Sequence, residues 1–89
     1  MNDKQREILV ITQEECAEVI QEISKIFRFG INNIHKDGML HQEKLETEVG
    51  DLLCMISLMT QHELVRSDMV TQAIENKQIK LKQWSKIYD

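Results

Sequence analysis

Proline is absent and glycine occurs three times, at positions 30, 38 and 50, in a chain of 89 residues. With so few breakers, a fold rich in turns and short strands is excluded and long helices are favoured. There are two cysteines, Cys16 and Cys54, and no CxxC pair. That excludes a disulfide scaffold and a thiolate zinc site, and leaves reduced thiols that the helical pattern places as small buried hydrophobes. No apolar run approaches the length that crosses a bilayer, so a membrane partner is not expected. The opening Met1-Asn2-Asp3-Lys4-Gln5-Arg6-Glu7 is polar and charged, unlike a signal peptide, and a cytoplasmic chain is expected. Positive charge is also short: the net charge is -4, which gives no general attraction for a nucleic-acid polymer. Internal repeats, linkers and low-complexity segments are missing, so one helical domain over residues 1–89 is expected. A domain so small buries a modest core, and a dimer or larger assembly would help enclose any ligand.

What is present is helical in period. The first helix runs from about Asn2 or Asp3 to about Phe29, with either polar residue as its cap. Ile8, Cys16, Val19, Ile20, Ile23, Ile26 and Phe27 form its apolar stripe, edged by Glu15, Glu18 and Glu22, with Glu14 turned to solvent. Phe29 to Met39 breaks the period with Gly30, Asn32, Asn33 and Asp37-Gly38. This connection is long for two antiparallel helices and locally basic at Arg28, His35 and Lys36; a solvated loop and a ligand lid are equally open readings. The second helix runs from about His41 to about Glu63. Leu45, Val49, Leu52, Leu53, Ile56 and Met59 share a face that Glu48 borders, with Asp51 further round between Met55 and Leu58. Gly50 is disfavoured in a helix by about 1 kcal/mol against Ala, which suggests close approach of another helix or a ligand. After a break at Val65-Arg66-Ser67-Asp68, the third helix runs from about Asp68 to about Tyr88, capped by Ser67 or Asp68. Its stripe is Val70, Ala73, Ile74, Leu81, Trp84 and Tyr88, with Lys77 near the middle and Lys80 at the edge. Lys77 either snorkels to water or points its ammonium into a site. The fold class is therefore all-α: an antiparallel bundle of about three main helices, completed by oligomerisation.

Two acid pairs stand out. Glu15 and Glu18 are three apart on the first helix, and Glu48 and Asp51 three apart on the second, so each pair shares a helix face. Antiparallel packing would bring the four carboxylates together, and such a cluster is costly unless a cation sits in it. With no Cys or His at ligand spacing the donor set is all oxygen, which suits Mg²⁺ or Mn²⁺ and not Zn²⁺. Such sites leave coordination positions for water and substrate phosphates. Helical carboxylates also bind two irons, but those sites use Glu-x-x-His, and no glutamate here has a histidine three residues on. The plainer reading is a pair of solvated helix faces.

Glu14-Glu15-Cys16-Ala17-Glu18-Val19-Ile20-Gln21, Arg28-Phe29-Gly30, Glu48-Val49-Gly50-Asp51-Leu52 and Lys80-Leu81-Lys82-Gln83-Trp84 together resemble the EExxE…ExxD signature of the MazG-like, all-α nucleotide pyrophosphohydrolases, in their short phage and bacterial form. The resemblance covers nearly the whole chain. It implies Mg²⁺-dependent hydrolysis of a (d)NTP between its α and β phosphates, to (d)NMP and pyrophosphate. It implies that Glu15, Glu18, Glu48 and Asp51 hold the metal, in a homodimer or dimer of dimers with sites near the interfaces. Gln21 departs from the many members that carry another acid there; Glu22 or Glu14 can substitute, and a nearby glutamate would help take the proton from the attacking water. Lys77, Lys80, Asn76 and Arg28 are the substrate-binding candidates, facing the phosphates. Phe27, Phe29 and Trp84 are candidates to contact the base, with core packing the favoured reading of each. The rival readings are a non-catalytic helical dimerisation module and a family member that binds nucleotides without hydrolysing them.

Overall fold

The computed structural model describes all residues, 1–89, and holds three helices: α1 (Asp3–Phe29), α2 (His41–Gln61) and α3 (Ser67–Trp84). The all-α class is as expected. α1 starts where Asn2 caps it: the Asn2 side chain accepts from the Gln5 N–H at 2.8 Å, and Gln5 Oε1 accepts from the Asn2 N–H at 3.0 Å. It stops at Gly30, whose φ of 93° opens the chain to the left-handed side while its N–H still donates to the Ile26 carbonyl at 2.8 Å.

The connection is a small ordered hairpin. Ile34 bridges Leu40, the His35 N–H donates to the Met39 carbonyl at 2.7 Å, and Gly38 turns the chain at φ 90°. Its carbonyls then serve α2: the His41 N–H donates to the Asn33 carbonyl at 3.0 Å and the Gln42 N–H to that of Ile31 at 3.1 Å. Asp37 locks the turn from inside. It accepts from the Met39 N–H at 3.0 Å and from the Lys44 ammonium at 2.7 Å.

α2 ends two residues before the expected Glu63. Glu63 takes φ 63° and the Leu64 N–H returns to the Met59 carbonyl at 2.9 Å, a helix stop of the kind usually built on glycine. α3 starts at Ser67 with Arg66 as N-cap, so neither Ser67 nor Asp68 caps it. It ends four residues before Tyr88, where the Ser85 hydroxyl donates to the Leu81 carbonyl at 2.7 Å.

α1 and α2 run antiparallel. Gln5 at the start of α1 donates through Nε2 to the His62 carbonyl at the end of α2, at 2.8 Å. At the other end Phe29 stacks on His41 with ring centroids 5.6 Å apart. This is the one extensive helix interface, and it buries Ile8, Thr12 and Glu22 of α1 against His41 and Met55 of α2. α3 buries no residue. The radius of gyration is 16.0 Å; a compact chain of this length has about 12 Å. Within the chain, then, α1 and α2 form a hairpin and α3 extends from it.

The seam differs from the hydrophobic stripe read from sequence. It follows Ile8, Thr12, Glu15, Val19, Glu22 and Ile26, so Glu15 and Glu22 lie in it and not at its edge, while Glu18 stays exposed. Cys16, Ile20, Ile23 and Phe27 are exposed, Phe27 at 86%. On α2, Val49 and Leu53 are likewise outside, and Cys54 is exposed. Both cysteines are free but neither is a buried hydrophobe, because each sits on a helix face turned away from the seam. By helical rotation the exposed apolar residues of both helices fall on one broad face of the hairpin, and Glu18 and Asp51 on the opposite one. Gly50 has no close neighbour: a Cβ built there meets nothing within 4 Å, so the close approach expected from sequence does not occur within the chain.

Candidate metal centre

The antiparallel hairpin sets a turn of α1 containing Glu15 against a turn of α2 containing Glu48 and Asp51. One carboxylate oxygen from each of the three lies within 4.8 Å of the others. Glu15 and Glu48 are half-buried in the seam, and Asp51 is exposed at its mouth. Glu18 is exposed and lies outside the three-way cluster, but its charge acts on both Glu15 and Glu48.

The electrostatics are those of a site short of positive charge. Burial pushes the Glu15 carboxyl up from its ordinary value, helped by Asp51, Glu18 and Glu14. Burial likewise pushes Glu48 up, with Glu18, Asp51, Glu15 and Glu22 adding to it. Glu15 Oε2 is buried with no hydrogen-bond partner. Buried carboxylate oxygens are ordinarily paired or bound to a cation. An orphaned buried oxygen in an all-oxygen set of converging carboxylates fits a hard divalent ion.

The other sequence candidates divide. Glu22 is buried at 4% exposure, one turn beyond Glu18, with Oε1 held by Lys25 at 3.2 Å and Oε2 unpartnered. Glu14 is exposed. Arg28 pairs with no acid; its guanidinium lies 5.0 Å from the Phe29 ring centroid. Asn76, Lys77 and Lys80 are exposed on α3, and Asn76 accepts from Gln72 at 3.2 Å. Since α3 has no extensive interface with α1 or α2, the chain does not itself bring these three to the acids. Core packing fails for Phe27, Phe29 and Trp84, which are 86%, 49% and 80% exposed.

Three residues were missed. Lys44 stands on the acid face near Glu22 and Glu48, with its ammonium fixed by Asp37. Lys25 sits on Glu22. His41 is 2% exposed, with Nδ1 unpartnered. Helical spacing could have found the first two, since Lys44 is one turn before Glu48 and Lys25 three residues after Glu22. The Asp37–Lys44 pair crosses the connection and leaves no periodic trace. It holds the Asp37 carboxyl well below the usual carboxylate range, reinforced by the Met39 N–H.

No helix is long and apolar enough to cross a membrane. Neither the curated proteins nor the solved structures compared with the chain gave a match. A family profile, that of the MazG nucleotide pyrophosphohydrolase domain, matches residues 4–84. With its acid-bearing helical hairpin spanned by that match, the chain belongs to the MazG nucleotide pyrophosphohydrolase family.

Proposed function

We propose that the chain is a Mg²⁺-dependent nucleoside triphosphate pyrophosphohydrolase, converting a (d)NTP and water to a (d)NMP and pyrophosphate. The observation that carries the reading is the convergence of Glu15, Glu48 and Asp51 in a member of this family. Those three residues would hold the ion with Glu18, and Mn²⁺ is an alternative occupant. Such an ion supplies positive charge to the phosphates and acidity to a coordinated water.

The chain's own groups do the rest. Glu22 is the better supported proton acceptor: its Oε2 is unpartnered and Lys25 fixes the other oxygen, whereas Glu14 faces solvent. Lys44 and Lys25 put positive charge beside the acids. Lys77, Lys80 and Asn76, with Arg28, meet the phosphates, and α3 is free to carry its three to a site on a second copy. The exposed apolar face of the hairpin supports a homodimer or dimer of dimers, each chain acting as one helical domain. An acidic chain without a membrane-crossing helix suits a cytoplasmic enzyme acting on free nucleotides rather than nucleic acid.

The test is release of monophosphate and pyrophosphate from a panel of NTPs and dNTPs with Mg²⁺, against Glu48→Gln. Metal-dependent release of both products, lost in the variant, is the expected result. No release from any nucleotide, or release that survives Glu48→Gln, refutes it.

A further inference from the structure

A pocket of about 370 Å³ opens where the α1–α2 connection folds over the end of the hairpin, lined by Phe29, Asn33, Ile34, His35, Lys36 and His41. Three of its walls are aromatic. Phe29 stacks nearly parallel on His41, with planes 17° apart, and His35 meets His41 edge-on at 5.7 Å. Of its polar groups, His35 Nδ1 is held by Asp37, accepting from its N–H at 3.3 Å, and two others are without a partner in the chain. The Asn33 side-chain amide makes no hydrogen bond within the chain, although its backbone carbonyl caps α2. His41 is 2% exposed and its Nδ1 has no partner. A buried polar atom left this way is costly.

Size and charge narrow the ligand. Ligand pockets run from about 300 to 1,000 Å³, so this one takes a ring system rather than a whole nucleotide. Lys36 is the one lysine of the lining and is exposed, and the rest of the pocket gives an anion little hold. The first amides of α2, which would bind one, already donate to the Asn33 and Ile31 carbonyls, and the ionised Asp37 carboxylate lies 3.1 Å from His35 Nδ1. A flat, uncharged heteroaromatic ring with donors and acceptors on its edge fits the walls.

The pocket is on the acid side of the hairpin. Phe29 follows Glu18, Glu22 and Lys25 along one face of α1, and His41 precedes Lys44 and Glu48 along one face of α2. His41 and Glu48 are separated by roughly 10 Å of helix at 1.5 Å per residue. That gap is suited to a ribose and its first phosphate, with Lys25 and Lys44 beside the path.

We propose that this pocket receives the nucleobase of the substrate and sets base preference, with the phosphates running along the hairpin to Glu15, Glu48 and Asp51. The assignment rests on the pyrophosphohydrolase reading for its substrate, and two measurements separate them. The first is kcat/KM across the nucleotide panel for wild type and Asn33→Ala, a loop substitution that keeps the carbonyl capping α2. Losing one hydrogen bond to the base narrows the ratio between best and worst base about tenfold, through KM rather than kcat. The second is titration of the metal-free protein with free nucleosides, read on the histidine ring resonances. His35 and His41 shift with the preferred nucleoside, while His62, at the far end of the hairpin, does not. Turnover with discrimination unchanged in Asn33→Ala and unmoved His35 and His41 rings overturns the pocket and leaves the hydrolase reading intact. Shifted rings without turnover of any nucleotide support the pocket and refute the hydrolase reading.

Discussion

The hairpin and α3 carry the same helical periodicity and end in different states. Both are amphipathic and neither contains proline, although acids dominate the hairpin and lysines the second half of α3. Yet α1 and α2 hold every buried residue of the chain, and α3 holds none. Ile74, Ile79 and Trp84 are exposed at 55%, 57% and 80%, where Ile8 and Met55 are at 5% and 8%. Amphipathicity states that a helix needs a partner, not where the partner is. The connection decides that for α1 and α2: the Asp37–Lys44 pair and the carbonyls capping α2 fix the reversal. Nothing comparable folds α3 back.

Chemistry should separate the two regions most. Glu48→Gln in the hairpin is expected to cut Mg²⁺-dependent turnover by more than about a hundredfold, since even outer-shell partners of metal ligands cost that order. Lys77→Ala on α3 is expected to cost about tenfold, as a single charge-assisted contact does. Equal losses in steady-state assays would show that the α3 lysine stands as close to the reacting phosphates as the acids do.

Stability separates the two regions next. Met55→Ala removes a buried side chain and is expected to cost about 3 kcal/mol in urea unfolding. Ile74→Ala removes an exposed one and costs under about 0.5 kcal/mol in dilute protein. A cost at Ile74 that grows with protein concentration would place α3 in an interface between copies.

The acid cluster gives a smaller effect with a definite sign. Glu15 and Glu48 are raised in the folded chain, so their penalty is fully present above their folded values and disappears as pH falls toward the ordinary 4.5. Asp37 is lowered, so its contribution is present above its ordinary value of 3.8 and is lost as pH falls below it. With chelator present, the Tm should rise from pH 7 toward pH 4.5 and fall below pH 3.8. At neutral pH, Mg²⁺ at a hundred times its Kd should add about 2.7 kcal/mol. A metal-free Tm that falls steadily from pH 7 would contradict the cluster's electrostatics.

Gly50→Ala is the mildest probe. With open space where the Cβ would sit, it should stabilise the hairpin by about 1 kcal/mol in thermal unfolding. A loss of stability instead would reveal a neighbour at Gly50 that comes from a second copy.

Much of this protein was legible in its residues. Asn2 and Gly30 marked both ends of α1, and of the four acids expected to converge Glu15, Glu48 and Asp51 do, while Glu18 stays outside. The helix ends and the acid spacing are local facts, fixed by backbone conformation and helical period. What the sequence did not tell was which stripe would become the seam. Hydrophobicity alone put Ile20, Ile23 and Phe27 inside, whereas packing put Glu15 and Glu22 there. Burying carboxylates defies an apolar pattern, and only the meeting of two helices shows that the acids share one place. The same holds for His41 and Asp37, whose partners lie across the connection. Period and caps belong to a helix by itself. The seam, the charge it gathers and the pocket at its end belong to the pair, and only the tertiary structure decided them.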